Sequence, residues 1–256
     1  MNPKERLRAW GAEPTGEVWR TPSSDLAAGI RGGEPVMLKV ARIEEERRGG
    51  RLMAWWSGCG GLPVLEADDD AILMRRATRS LLTVPAAEAE GVLLETVLAL
   101  HAMPAPPASV GLVALTEWFH DLVDEPQAYP LLARTADVAR GLVAEAGPSV
   151  ALHGDLHHGN VLELDGRWIV IDPKGLVGHP AFDVANVFCN PSVQVATARL
   201  DRRLGRFADR LAIEPDVLAA WVVAWCGLSL VWAHRAGTWH ASAASTVATA
   251  LLPRLR

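Results

Sequence analysis

Residues 151–175 limit the possible folds of this chain more than any other segment. They read ALHGDLHHGNVLELDGRWIVIDPKG, in which a polar loop with Asp155 and Asn160 is followed by two apolar runs. An Asp-Gly pair at 165–166 separates the runs, and this dipeptide between apolar stretches is a strong signal for a β-hairpin turn. Such a hairpin folds Asp172, at the end of the second run, back beside the polar loop.

Two carboxylates and an amide in this arrangement are what phosphoryl transfer from a nucleotide needs. One acid orients the attacking hydroxyl and accepts its proton, while the amide and the other acid hold Mg²⁺ on the phosphates. The order and spacing match the kinase pattern H-x-D-x-x-x-x-N, here His153 to Asn160, followed by a metal-binding aspartate. A lone Gly-Asp or Gly-Asn pair is common in turns and needs no function. A turn alone does not explain why two carboxylates and an amide occur together at this spacing. We therefore predict Asp155 as the catalytic residue and Asn160 and Asp172 as the metal ligands.

The segment LHGDLHHGN, followed by VIDPKGLVGHPAFDVANVFCNP, resembles the aminoglycoside phosphotransferases, and within them the streptomycin 6-kinase and hydroxyurea phosphotransferase branch. The resemblance spans roughly residues 15–240. It implies an α+β, protein-kinase-like two-lobed fold, with a small antiparallel-sheet N-lobe and a larger, mainly helical C-lobe. It also implies an ATP- and Mg²⁺-dependent phosphotransferase that moves the γ-phosphate to a hydroxyl of a small molecule, an antibiotic of the aminoglycoside (streptomycin) or hydroxyurea type.

The pattern along the chain changes from short strands to helices. Turn signals and apolar runs near the N-terminus predict strands at 17–20, 25–31, 35–40, 64–65 and 71–74 and a helix over 43–57. Helical patterns then predict helices at 86–101, 109–124, 127–146, 181–189, 194–211, 215–235 and 241–252. The change near 76–80 predicts a nucleotide-binding lobe of residues 1–77 and a helical lobe of residues 78–256, which carries the catalytic loop and the acceptor site.

Four more residues are predicted to bind the nucleotide. Lys39 ends the strand sequence V-M-L-K, which matches the kinase V-A-I-K strand whose lysine holds phosphates and pairs with a helix glutamate. Three consecutive acids, Glu44 to Glu46, begin the next helix. The helix dipole stabilises acids at a helix N-terminus whether or not they bind a ligand, but the family resemblance selects Glu46 as the partner of Lys39. In place of a glycine-rich phosphate loop, the turn at 21–24 could bind phosphates through Ser23 and Ser24, or could be only a tight turn.

Composition narrows the class of protein and its surroundings. The chain has 256 residues, half of them hydrophobic, and a net charge of −5, so a globular protein is expected and nucleic acid is not expected as a partner. The three cysteines have no zinc-site spacing and no plausible disulfide framework, which favours the cytoplasm. Residues 217–233 are uncharged, but at this length a buried core helix is expected rather than a membrane span. A monomer and a dimer both remain open.

The same residues leave other functions open, with different support. A metabolite kinase of the same fold, acting on a sugar or an amino alcohol, fits the same residues. A metallophosphatase-like hydrolase would need two metals and more ligands, and a catalytically silent kinase-like binding protein would not need Lys39 together with both acids. Streptomycin kinases are expected to carry acids soon after the tryptophan equivalent to Trp232, whereas residues 233–240 contain none. A neutral or less charged alcohol is therefore as strongly expected as streptomycin.

Overall fold

A computed structural model describes residues 2–124, 129–145, 147–238 and 242–255. Its N-terminal part is an antiparallel five-stranded sheet in the order β1-β2-β3-β5-β4. The strands are β1 (Glu13–Arg20), β2 (Ser24–Arg31), β3 (Glu34–Ala41), β4 (Val64–Ala67) and β5 (Ala71–Arg75). Two helices flank the sheet, α1 (Pro3–Ala9) and α2 (Glu44–Trp56).

Alternation along β3 decides which side chains reach the cleft below the sheet. Val36 and Leu38 are fully buried and pack with Leu7 of α1. Because successive side chains of a strand point to opposite faces, Met37 and Lys39 line the cleft on the other face. The Gly32-Gly33 turn into β3 has φ values of 59° and 88°, which glycine adopts without steric cost.

The rest of the chain is mainly helical and surrounds one large apolar core. Its helices are α3 (Ala86–His101), α4 (Leu115–Trp118), α5 (His120–Val123), α6 (Pro130–Ala144), α7 (Ala181–Ala185), α8 (Val193–Thr197), α9 (Leu200–Leu211), α10 (Pro215–Arg235) and α11 (Ala243–Leu251). Its short strands are β6 (Arg79–Ser80), β7 (Val113–Ala114), β8 (Val150–Leu152), β9 (Val161–Leu164), β10 (Arg167–Val170) and β11 (Leu176–Gly178). They form two three-stranded sheets, β10-β9-β6 and β7-β11-β8.

Helix α10 is the long apolar helix that the sequence predicts at 215–235. Among the described residues it is the one helix long and apolar enough to cross a membrane. It packs against α6, α7, α9 and α11, and most of its apolar stretch is buried inside the protein, which is the arrangement of a core helix.

Three helix predictions differ from the structure. The helix predicted at 109–124 is interrupted because Gly111 has φ 71° and residues 113–114 pair with β11. The helix predicted at 194–211 is divided at Arg199, which has φ 51°. Helix α1 was not predicted, because charged residues dominate this short segment.

Two predicted helices extend beyond the described residues. Positions 127, 128, 146 and 241 lie outside them, and α6 and α11 are the described parts.

The hairpin of β9 and β10 forms as the sequence predicts. Leu164 pairs with Arg167, and the turn residues Asp165 and Gly166 have φ values of 52° and 73°. The segment after β10 lies against α2, where a Cβ added to Gly49 would be 2.2 Å from the carbonyl oxygen of Pro173. Only glycine allows the helix to approach the segment this closely.

Candidate active site

A cleft of about 380 Å³ lies between the sheet, α2 and the β9–β10 hairpin. All four predicted nucleotide-binding residues and Asp172 line it. Its apolar wall includes Leu26, Met37, Met53, Ile72, Met74 and Ile171. A cleft with an apolar wall and a few convergent charged groups is the usual form of a cofactor site.

Charged side chains meet at the inner end of this cleft. Lys39 Nζ contacts both Glu46 Oε2 and Asp172 Oδ1. The Glu46 side chain is 5% exposed, and its other oxygen, Oε1, accepts a hydrogen bond of 2.7 Å from the Ser23 hydroxyl. The lysine–glutamate pair predicted from the sequence is therefore formed without a ligand.

The predicted phosphate turn is tied to the protein. Ser24 is buried, and its backbone N–H donates to Thr21 Oγ1 at 2.9 Å. The Ser23 hydroxyl already donates to Glu46. The turn thus has a defined shape at the edge of the cleft, and its hydroxyls and backbone N–H groups are used in hydrogen bonds within the turn or to Glu46.

Asp172 combines an unusual backbone with a strong positive field. Its φ is 65°, a left-handed conformation that aspartate adopts more readily than most residues. Burial opposes its ionisation, but Lys39 and Lys174 outweigh burial and hold the pKa of this carboxyl below its usual value. Burial likewise opposes the charge on Lys174, yet Asp172, Glu45 and Glu46 raise the pKa of this ammonium group.

Asp155 lies beside the cleft and is held by amides. Its Oδ1 accepts a hydrogen bond of 2.8 Å from Asn186 Nδ2, and Asn160 Nδ2 donates to its backbone oxygen at 2.9 Å. Among the described residues, no lysine or arginine lies within ion-pair distance of Asp155; the nearest ionisable partner is His157 Nε2, 3.8 Å from Oδ2. The carboxylate is one-third exposed, so a hydroxyl can reach it.

The loop that carries Asp155 is fixed from beneath by a buried acid. Both oxygens of Asp183 accept backbone N–H groups, from His153 at 2.9 Å and from Gly154 at 2.7 Å. His101 Nε2 approaches the same carboxylate at 2.9 Å. These bonds fix the start of the catalytic loop.

His153 connects this loop to the strand that ends at Asp172. It is fully buried and stacks on Trp56. Its Nε2 lies 2.8 Å from the Ile171 oxygen, and its Nδ1 accepts the backbone N–H of Asp155 at 3.2 Å, so the neutral ring carries its proton on Nε2. Burial lowers the pKa of the ring, which keeps it in this neutral form.

A magnesium ion fits the donor set of Asn160 and Asp172. Both supply oxygen atoms, which Mg²⁺ prefers. The Asn160 amide nitrogen is used by the Asp155 backbone, which leaves the amide oxygen as the atom that can bind a cation. Asn160 and Asp172 are kept close because the backbone N–H of Ile171 donates to the backbone carbonyl oxygen of Asn160 at 3.0 Å. Phosphate oxygens and water would complete the octahedron.

One residue of the site, Asn186, was not predicted from the sequence. It orients Asp155, and its own side-chain oxygen accepts a hydrogen bond of 2.7 Å from Asn190 Nδ2. Lys174 follows Asp172 by two positions, where the family resemblance leaves open a role in positioning phosphate or the loop. The sequence contains a weak signal for Asn186, because it follows Asp183 by almost one helical turn at the end of α7 and so lies on the same side of the helix.

Residues 9–237 match the family of aminoglycoside/hydroxyurea antibiotic resistance kinases. A streptomycin 3''-kinase of Klebsiella pneumoniae is 38% identical over 240 residues, which cover 88% of this chain and 90% of the relative. A streptomycin 6-kinase of Streptomyces griseus is 30% identical over 233 residues, covering 77% of this chain and 74% of the relative.

Solved structures share the fold at lower sequence identity. A thermostable mutant of the aminoglycoside phosphotransferase APH(4)-Ia, in a ternary complex with ADP and hygromycin B, has a TM-score of 0.69 at 16% identity, with 98% of both chains covered. A macrolide 2'-phosphotransferase of Brachybacterium faecium has a TM-score of 0.64 at 19% identity, covering 98% of this chain and 97% of its own. The chain therefore belongs to the family of aminoglycoside/hydroxyurea antibiotic resistance kinases, and it is a small-molecule phosphotransferase with a two-lobed, protein-kinase-like α+β fold.

Proposed function

We propose that this enzyme transfers the γ-phosphate of ATP to a hydroxyl of a small-molecule antibiotic in a Mg²⁺-dependent reaction in the cytoplasm. The observation that carries the proposal is that one hairpin joins Asp155, Asn160 and Asp172 beside the Lys39–Glu46 pair. In this assignment residues 1–77 are the nucleotide-binding lobe and residues 78–256 carry the catalytic loop and the acceptor site.

The nucleotide would lie along the apolar cleft with its phosphates toward Lys39. The apolar wall suits the adenine ring, and the lysine is already positioned by Glu46. The turn at Ser23 and Ser24, which lines the cleft, would lie beside the phosphates. With ATP bound, Lys39 would contact phosphate oxygens instead of Asp172, and the carboxylate of Asp172 would be available to hold a cation.

Asp155 would orient the acceptor hydroxyl and take its proton. Oδ1 accepts a hydrogen bond of 2.8 Å from Asn186 and Oδ2 a longer one of 3.3 Å from Asn160, so Oδ2 is the oxygen proposed to meet the hydroxyl. In phosphoryl transfer the protein acts mainly by positioning and by electrostatic stabilisation. A Mg²⁺ ion held by Asn160 and Asp172 would neutralise the negative charge that develops on the phosphates.

Streptomycin is the first acceptor to test, because the relatives of Klebsiella pneumoniae and Streptomyces griseus are named as streptomycin kinases. One observation favours a less charged alcohol as the second candidate. Asp121, the acid that lies against the end of α10, accepts a hydrogen bond from Trp232 Nε1 at 2.9 Å and pairs with Arg235. A polycationic acceptor prefers carboxylates that are not already neutralised.

The deciding experiment is acceptor-stimulated release of ADP from ATP, with and without Mg²⁺. The acceptor panel contains streptomycin, other aminoglycosides, hydroxyurea and simple metabolite alcohols. Release with streptomycin, followed by determination of the phosphorylated hydroxyl by nuclear magnetic resonance, would support the proposal in full. Release only with a metabolite alcohol would keep the reaction and replace the acceptor. Absence of release with every acceptor, despite measurable ATP binding, would contradict the antibiotic kinase assignment.

A further inference from the structure

Lysine is rare in this chain, and its distribution points to a second lysine in the phosphate site. Of the 25 basic residues, only Lys4, Lys39 and Lys174 are lysines, and the rest are arginines. Two of these three lysines meet at the same carboxylate. Lys39 contacts Glu46 Oε2, while Lys174 Nζ lies 3.6 Å from Glu46 Oε1 and 3.1 Å from Glu45 Oε1.

Elsewhere the protein builds its ion pairs with arginine. Among the described residues, every other pair between a lysine or arginine and a carboxylate is made by an arginine, such as Arg75 with Asp165 at 2.5 Å or Arg31 with Glu66 at 2.7 Å. A guanidinium suits a fixed pair because its planar fork binds a carboxylate through two bonds. An ammonium group is a compact charge on a flexible stem, which can turn from a carboxylate to a phosphate oxygen.

The position of Lys174 is that of a ligand-binding residue. Its side chain is 18% exposed and lines the cleft together with Lys39. Its backbone N–H donates to the His153 oxygen at 2.6 Å, so it lies on the catalytic-loop side of Glu46, whereas Lys39 projects from β3. The two ammonium groups therefore reach different oxygens of Glu46 from two elements, Lys39 from β3 and Lys174 from the segment after β10.

We propose that Lys174 is a second phosphate-binding lysine, which contacts the γ-phosphate while Lys39 contacts the phosphates nearer the sheet. The inference rests on the proposed use of ATP by this site. Glu45 and Glu46 hold Lys174 in place before the nucleotide binds. Because the γ-phosphate is the group that moves, Lys174 follows it during transfer and stabilises its negative charge.

The first test compares the affinities for ATP, ADP and adenosine of four proteins: the wild type, Lys174→Met, Lys174→Arg and the matched control Lys4→Met. Loss of a charge-assisted contact is expected to weaken ATP binding by Lys174→Met roughly tenfold to a hundredfold. ADP binding should weaken less, and adenosine binding should be unchanged. Lys174→Arg keeps the charge and should lose less affinity for ATP, and Lys4→Met should behave as the wild type.

Two outcomes would overturn the inference. One is a Lys174→Met protein that binds ATP as tightly as the wild type. The other is an equal loss of affinity for all three ligands, together with a lower thermal unfolding midpoint, which would mean that Lys174 only ties α2 to the hairpin. A wild-type protein that fails to bind ATP would instead overturn the proposed function itself.

A second test needs no variant, so it does not depend on the folding of a mutant. An acyl phosphate of ATP carries an acyl group on the terminal phosphate; a nearby lysine amine attacks the acyl carbon, forms an amide and releases ATP. Mass spectrometry should find acylation of Lys39 and Lys174 that excess ATP suppresses, with Lys4 as the internal control. Acylation confined to Lys39 would overturn the inference, and no acylation above that of Lys4 would count against the nucleotide site as a whole.

Discussion

The two halves of the active site hold their carboxylates with different chemistry. In the charged half, Glu46 and Asp172 are held by the ammonium groups of Lys39 and Lys174. In the amide half, the carboxylate of Asp155 accepts hydrogen bonds from the neutral side chains of Asn186 and Asn160, and its backbone N–H donates to His153 Nδ1. The distance between the halves is short, because Asn160 and Asp172 lie on the same hairpin.

This difference fits the role proposed for each carboxylate. Carboxylates that position cations or hold Mg²⁺ must stay ionised, and neighbouring ammonium groups favour the ionised form. Asp155 is proposed to accept a proton, and neutral amides can orient such a carboxylate without the loss of proton affinity that a contacting ammonium group would cause. The lysine side chains thus contact the charged half, while the described partners of the Asp155 carboxylate are two amides and the His157 ring.

The largest effect is expected where the amide half meets the acceptor. Asp155→Asn keeps the shape of the side chain but removes the proton acceptor, so kcat should fall about a thousandfold or more while ATP affinity is retained. Steady-state kinetics and a nucleotide titration measure the two quantities. Asp137→Asn, on the exposed face of α6, is the control. A near-normal kcat for the Asp155 variant would contradict the assignment of the base.

A comparable loss is expected from the charged half, but with a different signature. Asp172→Asn should lower kcat about a thousandfold and raise the Mg²⁺ concentration needed for half-maximal rate, because a carboxylate ligand is lost. Asparagine also tolerates the φ of 65° at this position, so the backbone can stay as it is. Titration of the rate with Mg²⁺ measures the effect. An unchanged Mg²⁺ dependence would show that Asp172 does not hold the metal.

Asn186→Ala tests whether amides orient the base. Loss of the hydrogen bond to Asp155 should lower kcat roughly tenfold to a hundredfold, because a bond to a charged group contributes about 1.5–3 kcal/mol. The KM for ATP should not change. Asn190→Ala, one hydrogen bond further away, should have a smaller effect on kcat. If the Asn186 variant changed only the KM for ATP, the division into two halves would be wrong.

Glu46→Gln should affect mainly the KM for ATP, whereas Asn186→Ala should affect mainly kcat. Without its charge the side chain positions Lys39 less firmly, and the KM for ATP should rise about tenfold with a smaller change in kcat. Initial rates measured over a range of ATP concentrations, at saturating acceptor, separate the change in KM from the change in kcat. A pure loss of kcat would place Glu46 with the amide half instead.

The last expected effect is on stability in acid and not on the rate of the reaction, and it concerns His158 in the loop between Asp155 and Asn160. His158 is 2% exposed, and burial lowers its pKa to about 4. The unfolded chain takes up a proton below the ordinary value of about 6.5, whereas the folded ring stays neutral until about pH 4. The free energy of unfolding should therefore fall as pH drops from about 6.5 to about 4, by up to about 3 kcal/mol.

Urea unfolding at several pH values tests the role of this histidine. His158→Gln should reduce the slope of the free energy of unfolding against pH in that range, and His120→Gln, with an exposed ring, should not. An identical slope in the wild type and the His158 variant would exclude His158 as the group responsible.

The sequence predicted the fold through local signals. The Asp-Gly and Gly-Gly turns, the period-two pattern of β3 and the long apolar run of α10 each depend on near neighbours, and all are present in the structure. The catalytic hairpin belongs to the same class, since its turn and spacing place Asp172 beside Asn160. The chemical roles of these residues stay predictions until the variants are measured.

What the sequence did not predict depends on residues that are distant in the chain. Asn186 reaches Asp155 across 31 positions, and nothing near Asn186 marks it as a partner of the base. The helix predicted at 109–124 gives way to β7 because its pairing with β11 is formed by a segment far along the chain. Cys189 and Cys226, which are 37 positions apart in the chain, have Sγ atoms 3.4 Å apart as free thiols.

The close approach of Gly49 to Pro173 makes position 49 sensitive to substitution. An added Cβ would lie 2.2 Å from the Pro173 carbonyl oxygen, so any side chain there would push α2 away from the segment that carries Asp172. Glu46 lies on the same helix, three residues earlier, so such a shift would also disturb its contact with Lys39. The spacing between the lysine–glutamate pair and the segment that carries Asp172 thus depends on the absence of a single carbon atom.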